Sequence, residues 1–132
     1  MTDLKEKVIL VTGAAGAIGS AVVTAVKQAG GRAIATDLAA GAGIDAALDV
    51  TAEAGWQRLA AEIERQHGRL DGLVNAAGIV ILGSVEQLDF AAWRRVLSVN
   101  LDGAFLGCKY SFPLLRKKGG AIVNLSSVSG LV

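Results

Sequence analysis

A turn of small residues fixes more about this chain than any other feature. Thr12–Gly19 reads TGAAGAIG and stands between a short β-branched run, Val8–Thr12, and a stretch with helical spacing. The run has the length and composition of a strand buried on both faces. Ile18, Ala21, Val22, Ala25, Val26 and Ala29 then recur at helical spacing, and Gly30 and Gly31 close the helix. Small side chains let a backbone pass close to a pyrophosphate, and the helix N-terminus presents free N–H groups and a positive dipole end. A glycine-rich loop alone is weak evidence, because many tight turns contain one. The strand-turn-helix setting raises its weight.

The alternation continues along the chain. Arg32–Asp37 reads as a second strand, and Ala47–Val50 as a short third one after a Gly/Ala-rich loop. Thr51 is placed to cap a helix with Glu53 in its first turn and Trp56, Leu59, Ala60 and Ile63 on its apolar face, ending near His67 and Gly68. Leu70–Asn75 is the next strand. Asp89 caps a long helix whose apolar side is read as Trp93, Val96, Leu97, Leu101, Phe105, Cys108 and Phe112. Pro113 is expected to end or kink it, and Asn100 is a poor helix former in its middle. Ala121–Ser126 is the last strand. The fold class is therefore α/β, a doubly wound parallel sheet with helices on both faces. Such a sheet binds ligands at the carboxyl ends of its strands. Those ends are Thr12–Gly13, Asp37, Asp49, Asn75 and Ser126–Ser127, where most of the strands' polar residues gather.

Composition narrows the function classes. The chain has 132 residues, the size of one domain. Hydrophobic types make up 52% and charged types 19%, and mean hydropathy is +0.49, which excludes a disordered tail. A net charge of +1 and no basic run longer than Arg116–Lys118 leave no footprint for nucleic acid or an anionic membrane. One cysteine, Cys108, excludes an internal disulfide framework and a cysteine-based metal site, and reads as a packed small hydrophobe. The one histidine, His67, reads as solvated at a helix C-terminus, and no metal is expected. The apolar run Val8–Val11 is too short for a signal-peptide core or a membrane span, so the expected location is the cytoplasm. Trp56 and Trp93 fit helix faces better than a ligand cage, and Ile79–Leu82 reads equally as pocket lining or as a buried turn.

Asp37 lies 18 residues beyond Gly19, at the end of the second strand. A carboxylate there accepts hydrogen bonds from ribose hydroxyls and repels a 2′-phosphate. Neither Gly16 nor Leu38 is basic, so the preference is for NAD over NADP.

With these residues in place the chain resembles the short-chain dehydrogenase/reductase family, classical type, from about Lys7 to Val132. Thr12–Gly19 resembles its cofactor loop, which implicates Gly13, Gly16, Ala17, Ile18 and Gly19. Asp49 and Val50 resemble its adenine-pocket pair. Asn75, Ala76, Ala77 and Gly78 are similar to its Asn-x-Ala-Gly motif, which flanks the cofactor. Asn100 falls where the family keeps an active-site Asn at a bend in its long helix. The strand ending in Ser126 and Ser127 resembles the one that bears the catalytic Ser, and alignment selects Ser127. The resemblance implies a Rossmann-like domain over residues 1–132. It implies NAD-dependent hydride transfer between nicotinamide and a small-molecule secondary alcohol or ketone, and a homo-oligomer associating through the long helix.

Two positions depart from the family pattern. Ala17 occupies the place of the middle glycine, which sits instead at Gly16. The family also uses a Tyr about a dozen residues after the Ser and a Lys four residues after that Tyr. The only tyrosine here is Tyr110, followed four residues later by Leu114. The expectation is an N-terminal cofactor-binding part, incomplete on its C-terminal side and inactive alone. A non-catalytic dinucleotide-binding module or redox sensor is the alternative.

Overall fold

The computed structural model describes residues 3–130. Five parallel strands form one sheet: β1 (Val8–Val11), β2 (Arg32–Asp37), β3 (Ala46–Ala47), β4 (Gly72–Asn75) and β5 (Ala121–Asn124), in the spatial order β3-β2-β1-β4-β5. The order runs outward in one direction from β1 to β3 and in the other from β4 to β5. The strand order therefore reverses between β1 and β4, which opens a crevice at their carboxyl ends. The helices are α1 (Ala17–Gln28), α2 (Glu53–His67), α3 (Phe90–Leu97) and α4 (Gly103–Leu115). A π-helical turn, Ser98–Asp102, joins α3 to α4, and a 3-10 turn spans Val128–Gly130.

The strand pleat explains the two-sided core. Alternate residues of β1 point to opposite faces. Val8 and Leu10 join Ile34 and Leu73 beneath Trp56, Leu59 and Ile63 of α2 and Leu106, Leu114 and Leu115 of α4. Ile9 and Val11 join Ala33 and Ala35 beneath Val23 and Val26 of α1. This is why Val8–Val11 is apolar throughout: both faces are covered.

Local chemistry sets the boundaries. Gly68 ends α2 in the left-handed conformation, and its N–H bonds back to Glu64 and Ile63. Asp89 caps α3 by accepting from the Ala92 N–H. The β1 strand stops at Val11, one residue earlier than the pattern suggests. β3 occupies Ala46–Ala47 rather than 47–50: the Leu48 N–H gives the Asp37 carbonyl the last bond of the β2–β3 ladder, and the chain then turns, with the Ala52 N–H on the Asp49 carbonyl. Thr51 is not the cap of α2; Ala52 takes that position, and the Thr51 hydroxyl bonds Asp49 instead. α4 continues through Pro113 and ends two residues later at Leu115.

The long helix differs most from its sequence pattern. Its buried side in α4 is Gly103, Leu106, Gly107, Ser111, Leu114 and Leu115. Trp93, Leu101, Phe105 and Phe112 are exposed, Phe105 at 63%. Small residues lie inward because α4 presses on its neighbours. A Cβ on Gly103 would stand 2.7 Å from Val50 Cγ2, and one on Gly107 would stand 2.5 Å from Asn75 Oδ1. Ile18 of α1 is also exposed, and Val23 and Val26 carry that helix's contacts. No helix among the described residues is long and apolar enough to cross a membrane.

Candidate functional site

The sequence places its polar strand ends along one edge, and the structure gathers most of them around one cavity of about 530 Å³. Gly13, Gly16, Asp37, Asp49, Val50, Ala76, Ala77 and Gly78 line it, together with Leu38, Leu48, Thr51, Ile79, Arg95, Ser98 and Val99. The cavity opens at the carboxyl ends of β1, β2 and β4, at the reversal of strand order.

The glycine turn is as tight as its composition demands. Gly13 has φ +62, and a Cβ there would lie 2.7 Å from the Ala77 backbone. Only glycine fits both the left-handed backbone and the close approach. A Cβ on Gly19 would stand 2.1 Å from the Gly13 carbonyl oxygen. Gly19 therefore lets α1 dock on the turn and does not line the cavity. Gly16 is the N-cap of α1, and no side chain caps its first turn. Ala17 and Ile18 lie on that turn, outside the cavity lining.

Thr12 is a residue to which the motif reading gives no role beyond marking the end of the first strand. It is 1% exposed, and its Oγ1 accepts from both the Ala76 and Ala77 N–H groups. Its own N–H donates to the Val74 carbonyl. One hydroxyl thus ties the glycine turn to the segment after β4. The signal available in the sequence was a lone polar residue closing an apolar strand.

Two acids line the same cavity. Asp37 Oδ2 accepts from the Ala15 N–H and Oδ1 from the Leu38 N–H, which fixes the carboxylate at the lip of the turn. Asp49 Oδ1 accepts from the Thr51 hydroxyl and Thr51 N–H, and these bonds hold its carboxyl below the usual carboxylate range. Val50 is buried and its carbonyl accepts from the Trp56 indole N–H, so the core anchors this wall.

Asn75 lies beneath the cavity rather than in it. It is buried, and its Nδ2 donates to Asn124 Oδ1 at 2.7 Å, bridging β4 to β5. Asn100 falls within the π-helical turn, which supplies the bend that its position suggests. Its Oδ1 accepts from the Ile79 N–H at 2.8 Å, and its Nδ2 donates to the Ile79 carbonyl at 2.9 Å. This clamp orders the start of the segment after Gly78. The rest of the apolar run, Val80 to Leu82, is exposed and is not a buried turn.

Ser127 lies past the end of β5, exposed and outside the cavity lining, with its Oγ accepting from the Ser129 N–H. Tyr110 is elsewhere: its hydroxyl donates to Glu53 across the α2–α4 contact. His67 is half-buried rather than solvated. Burial, with Arg32 nearby, holds its imidazole below the usual value. Cys108 is half-buried, near Asn75.

Sheet order, two-sided helix packing and the cavity at the strand reversal define a Rossmann-like doubly wound α/β protein. The chain belongs to the short chain dehydrogenase family, whose model matches residues 7–132. It is 37% identical to a 3beta-hydroxysteroid dehydrogenase of Mediterraneibacter gnavus, over 99% of this chain and 53% of that protein. It is 42% identical to an NADP-dependent (R)-specific alcohol dehydrogenase of Lentilactobacillus kefiri, over 61% of this chain and 32% of that one. The structure is similar to that of the aldohexose dehydrogenase of Thermoplasma acidophilum, with a TM-score of 0.89 and 33% identity, covering 95% of this chain and 51% of that one. The chain spans little more than half the length of the relatives it matches end to end.

Proposed function

We propose that residues 1–132 form one dinucleotide-binding domain of a cytoplasmic, NAD-dependent dehydrogenase acting on a small secondary alcohol or ketone. The observation that carries this reading is the cavity itself. A glycine turn closed to a Cβ at Gly13, the fixed Asp37 carboxylate, and Asp49, held by Thr51, with Val50 surround one volume. Residues 13–19 hold the pyrophosphate, with Gly13 and Gly16 at its surface and the uncapped first turn of α1, including Ala17 and Ile18, behind it. Asp37 holds the ribose hydroxyls and disfavours a 2′-phosphate. Asp49 accepts from the adenine amino group, and Val50 packs on the base. Asn75, Ala76, Ala77 and Gly78 flank the cofactor, Asn75 by bracing β4 against β5. When bound, the nicotinamide group supplies the hydride acceptor or donor.

Ser127 donates a hydrogen bond to the substrate oxygen and stabilises charge developing there. Asn100 holds Ile79 and keeps one amide hydrogen and one lone pair for a relay water. Tyr110 cannot serve as the proton-exchanging phenol, because it is bound to Glu53 and Gln57 across α2. The 132-residue chain alone is therefore inactive. The exposed apolar side of α3 and α4, with Trp93, Phe105 and Phe112, is the self-association face of a homo-oligomer.

Calorimetric titration with NAD and NADP tests the reading. Tighter binding of NAD is expected, with the gap closing in Asp37→Ala. Absence of binding to either dinucleotide at millimolar concentration would overturn it.

A further inference from the structure

Arg95 differs from the other charged groups of the cavity. Asp37 and Asp49 enter from the sheet side, and both carboxylates already accept backbone N–H groups. Arg95 enters from α3 and, among the described residues, is the one basic residue in the lining. Among the described residues it has no acidic partner and no side-chain hydrogen bond. Lys7, Arg65, Arg69, Lys109 and Lys117 pair with carboxylates, while among the described residues Arg32, Arg58, Arg94 and Arg116 share its lack of an acidic partner. An exposed arginine is ordinarily a solvated charge, and its place on the wall is what sets this one apart. Val99, four residues on and so on the same helix face, lines the cavity too.

The same cavity is lined by the apolar Leu38, Leu48, Val50 and Val99, with the polar Asp49 and Thr51 next to Leu48 and Val50 in the chain. Such a slot suits a flat ring with a polar rim. Its open side is the one that a long, planar, cationic side chain from α3 can cover. A guanidinium stacks on an aromatic face and is weakly hydrated, so covering the ring costs it little.

We propose that Arg95 covers the adenine end of the cavity by stacking its guanidinium on the purine, making it a determinant of affinity for the adenosine half of the cofactor. This rests on the dinucleotide reading above. Stacking is favoured over a clamp on a 2′-phosphate because a phosphate at the ribose would meet the fixed Asp37 carboxylate. Arg95 shares its wall with Val99, and Asp49 and Val50 mark that end as the one for the base.

The test is calorimetric titration of the protein and of Arg95→Met, Arg95→Lys and Arg94→Met with NAD, NADP and AMP, with circular dichroism confirming an unchanged fold. Met keeps the length and apolar stem and removes the planar charge. Arg95→Met should weaken NAD and AMP by the same factor, roughly three- to tenfold. Arg95→Lys should restore part of the loss, and Arg94→Met should leave affinity unchanged. If the wild-type protein binds none of the three, the dinucleotide reading fails and takes this inference with it. If the wild type binds but Arg95→Met binds within twofold of it, the inference alone fails. A loss confined to NADP would assign the guanidinium to a phosphate and overturn stacking. An equal loss in Arg94→Met would reduce the effect to general surface charge and overturn it as well.

Discussion

Replacing Thr12 by valine isolates one hydroxyl whose removal should disturb both walls of the cavity. Valine keeps the β-branched shape and the strand preference of position 12, so β1 itself should be unaffected. What is lost is Oγ1, which accepts from Ala76 N–H at 3.1 Å and Ala77 N–H at 3.2 Å. A methyl in its place leaves two donors facing carbon at less than normal contact distance. Leaving one buried donor unsatisfied costs about 1–3 kcal/mol. Both segments also line the cavity, so water can relieve part of this, and about 2 kcal/mol in total is expected. For a domain of this size that lowers Tm by about 6–10 °C. The displaced Ala76–Ala77 segment also presses on Gly13, where a Cβ would stand only 2.7 Å from Ala77. Dinucleotide affinity should therefore fall with stability. Urea unfolding followed by far-ultraviolet circular dichroism gives the free energy, and Thr12→Ser, which keeps the oxygen, should recover most of it. A Thr12→Val protein within about 0.5 kcal/mol of wild type would refute the claim that this hydroxyl joins the two segments.

Further outcomes follow from the same packing and electrostatics. Gly19→Ala should unfold the turn or displace α1, since its Cβ would sit 2.1 Å from the Gly13 carbonyl oxygen; a loss of several kcal/mol or of soluble protein is expected, whereas Gly41→Ala, with nothing within 4 Å but φ +102, should cost only about 1 kcal/mol. Burial by itself would raise the Asp71 carboxyl, but the Val8 N–H, Arg69 and Lys7 outweigh it and hold it below the usual value. The unfolded chain then binds the proton more readily than the folded one. The stabilisation is present above pH about 4 and is lost as pH falls further through the folded value. Urea midpoints measured from pH 6 downward should drop in the wild type and flatten in Asp71→Asn. Trp56→Phe should cost about 1–2 kcal/mol, because the indole N–H satisfies the buried Val50 carbonyl; equal urea midpoints for the two proteins would refute that role. The 132-residue chain should show turnover well below about 1 per second with any alcohol.

The order of elements was legible in the sequence because each depends on local rules. An apolar β-branched run buried on two faces, a helical repeat closed by glycine, and an Asp cap leave their marks within a few residues, as at Val8–Val11, Gly68 and Asp89. The strand ends Gly13, Asp37 and Asp49 were legible for a related reason, and Ala76–Gly78 through the family motif they resemble. Polar residues placed against apolar strand bodies point to a shared edge, and the cavity gathers them there. Thr12, Arg95 and Ser98 were not singled out as site residues, since nothing local separates them from an ordinary strand end or helix surface.

Only the tertiary structure decided which side of the long helix faces inward. Hydrophobic period chose Trp93, Phe105 and Phe112, yet the buried line runs through Gly103, Gly107 and Ser111. The reason is distance. α4 lies close enough to Val50, Trp56 and Asn75 that a Cβ at Gly103 or Gly107 would stand within about 3 Å of their atoms. A sequence pattern scores the size of apolar side chains. At the tightest contacts close packing selects residues that have almost none, alongside the buried Leu106, Leu114 and Leu115, and that choice is made only when the two elements meet.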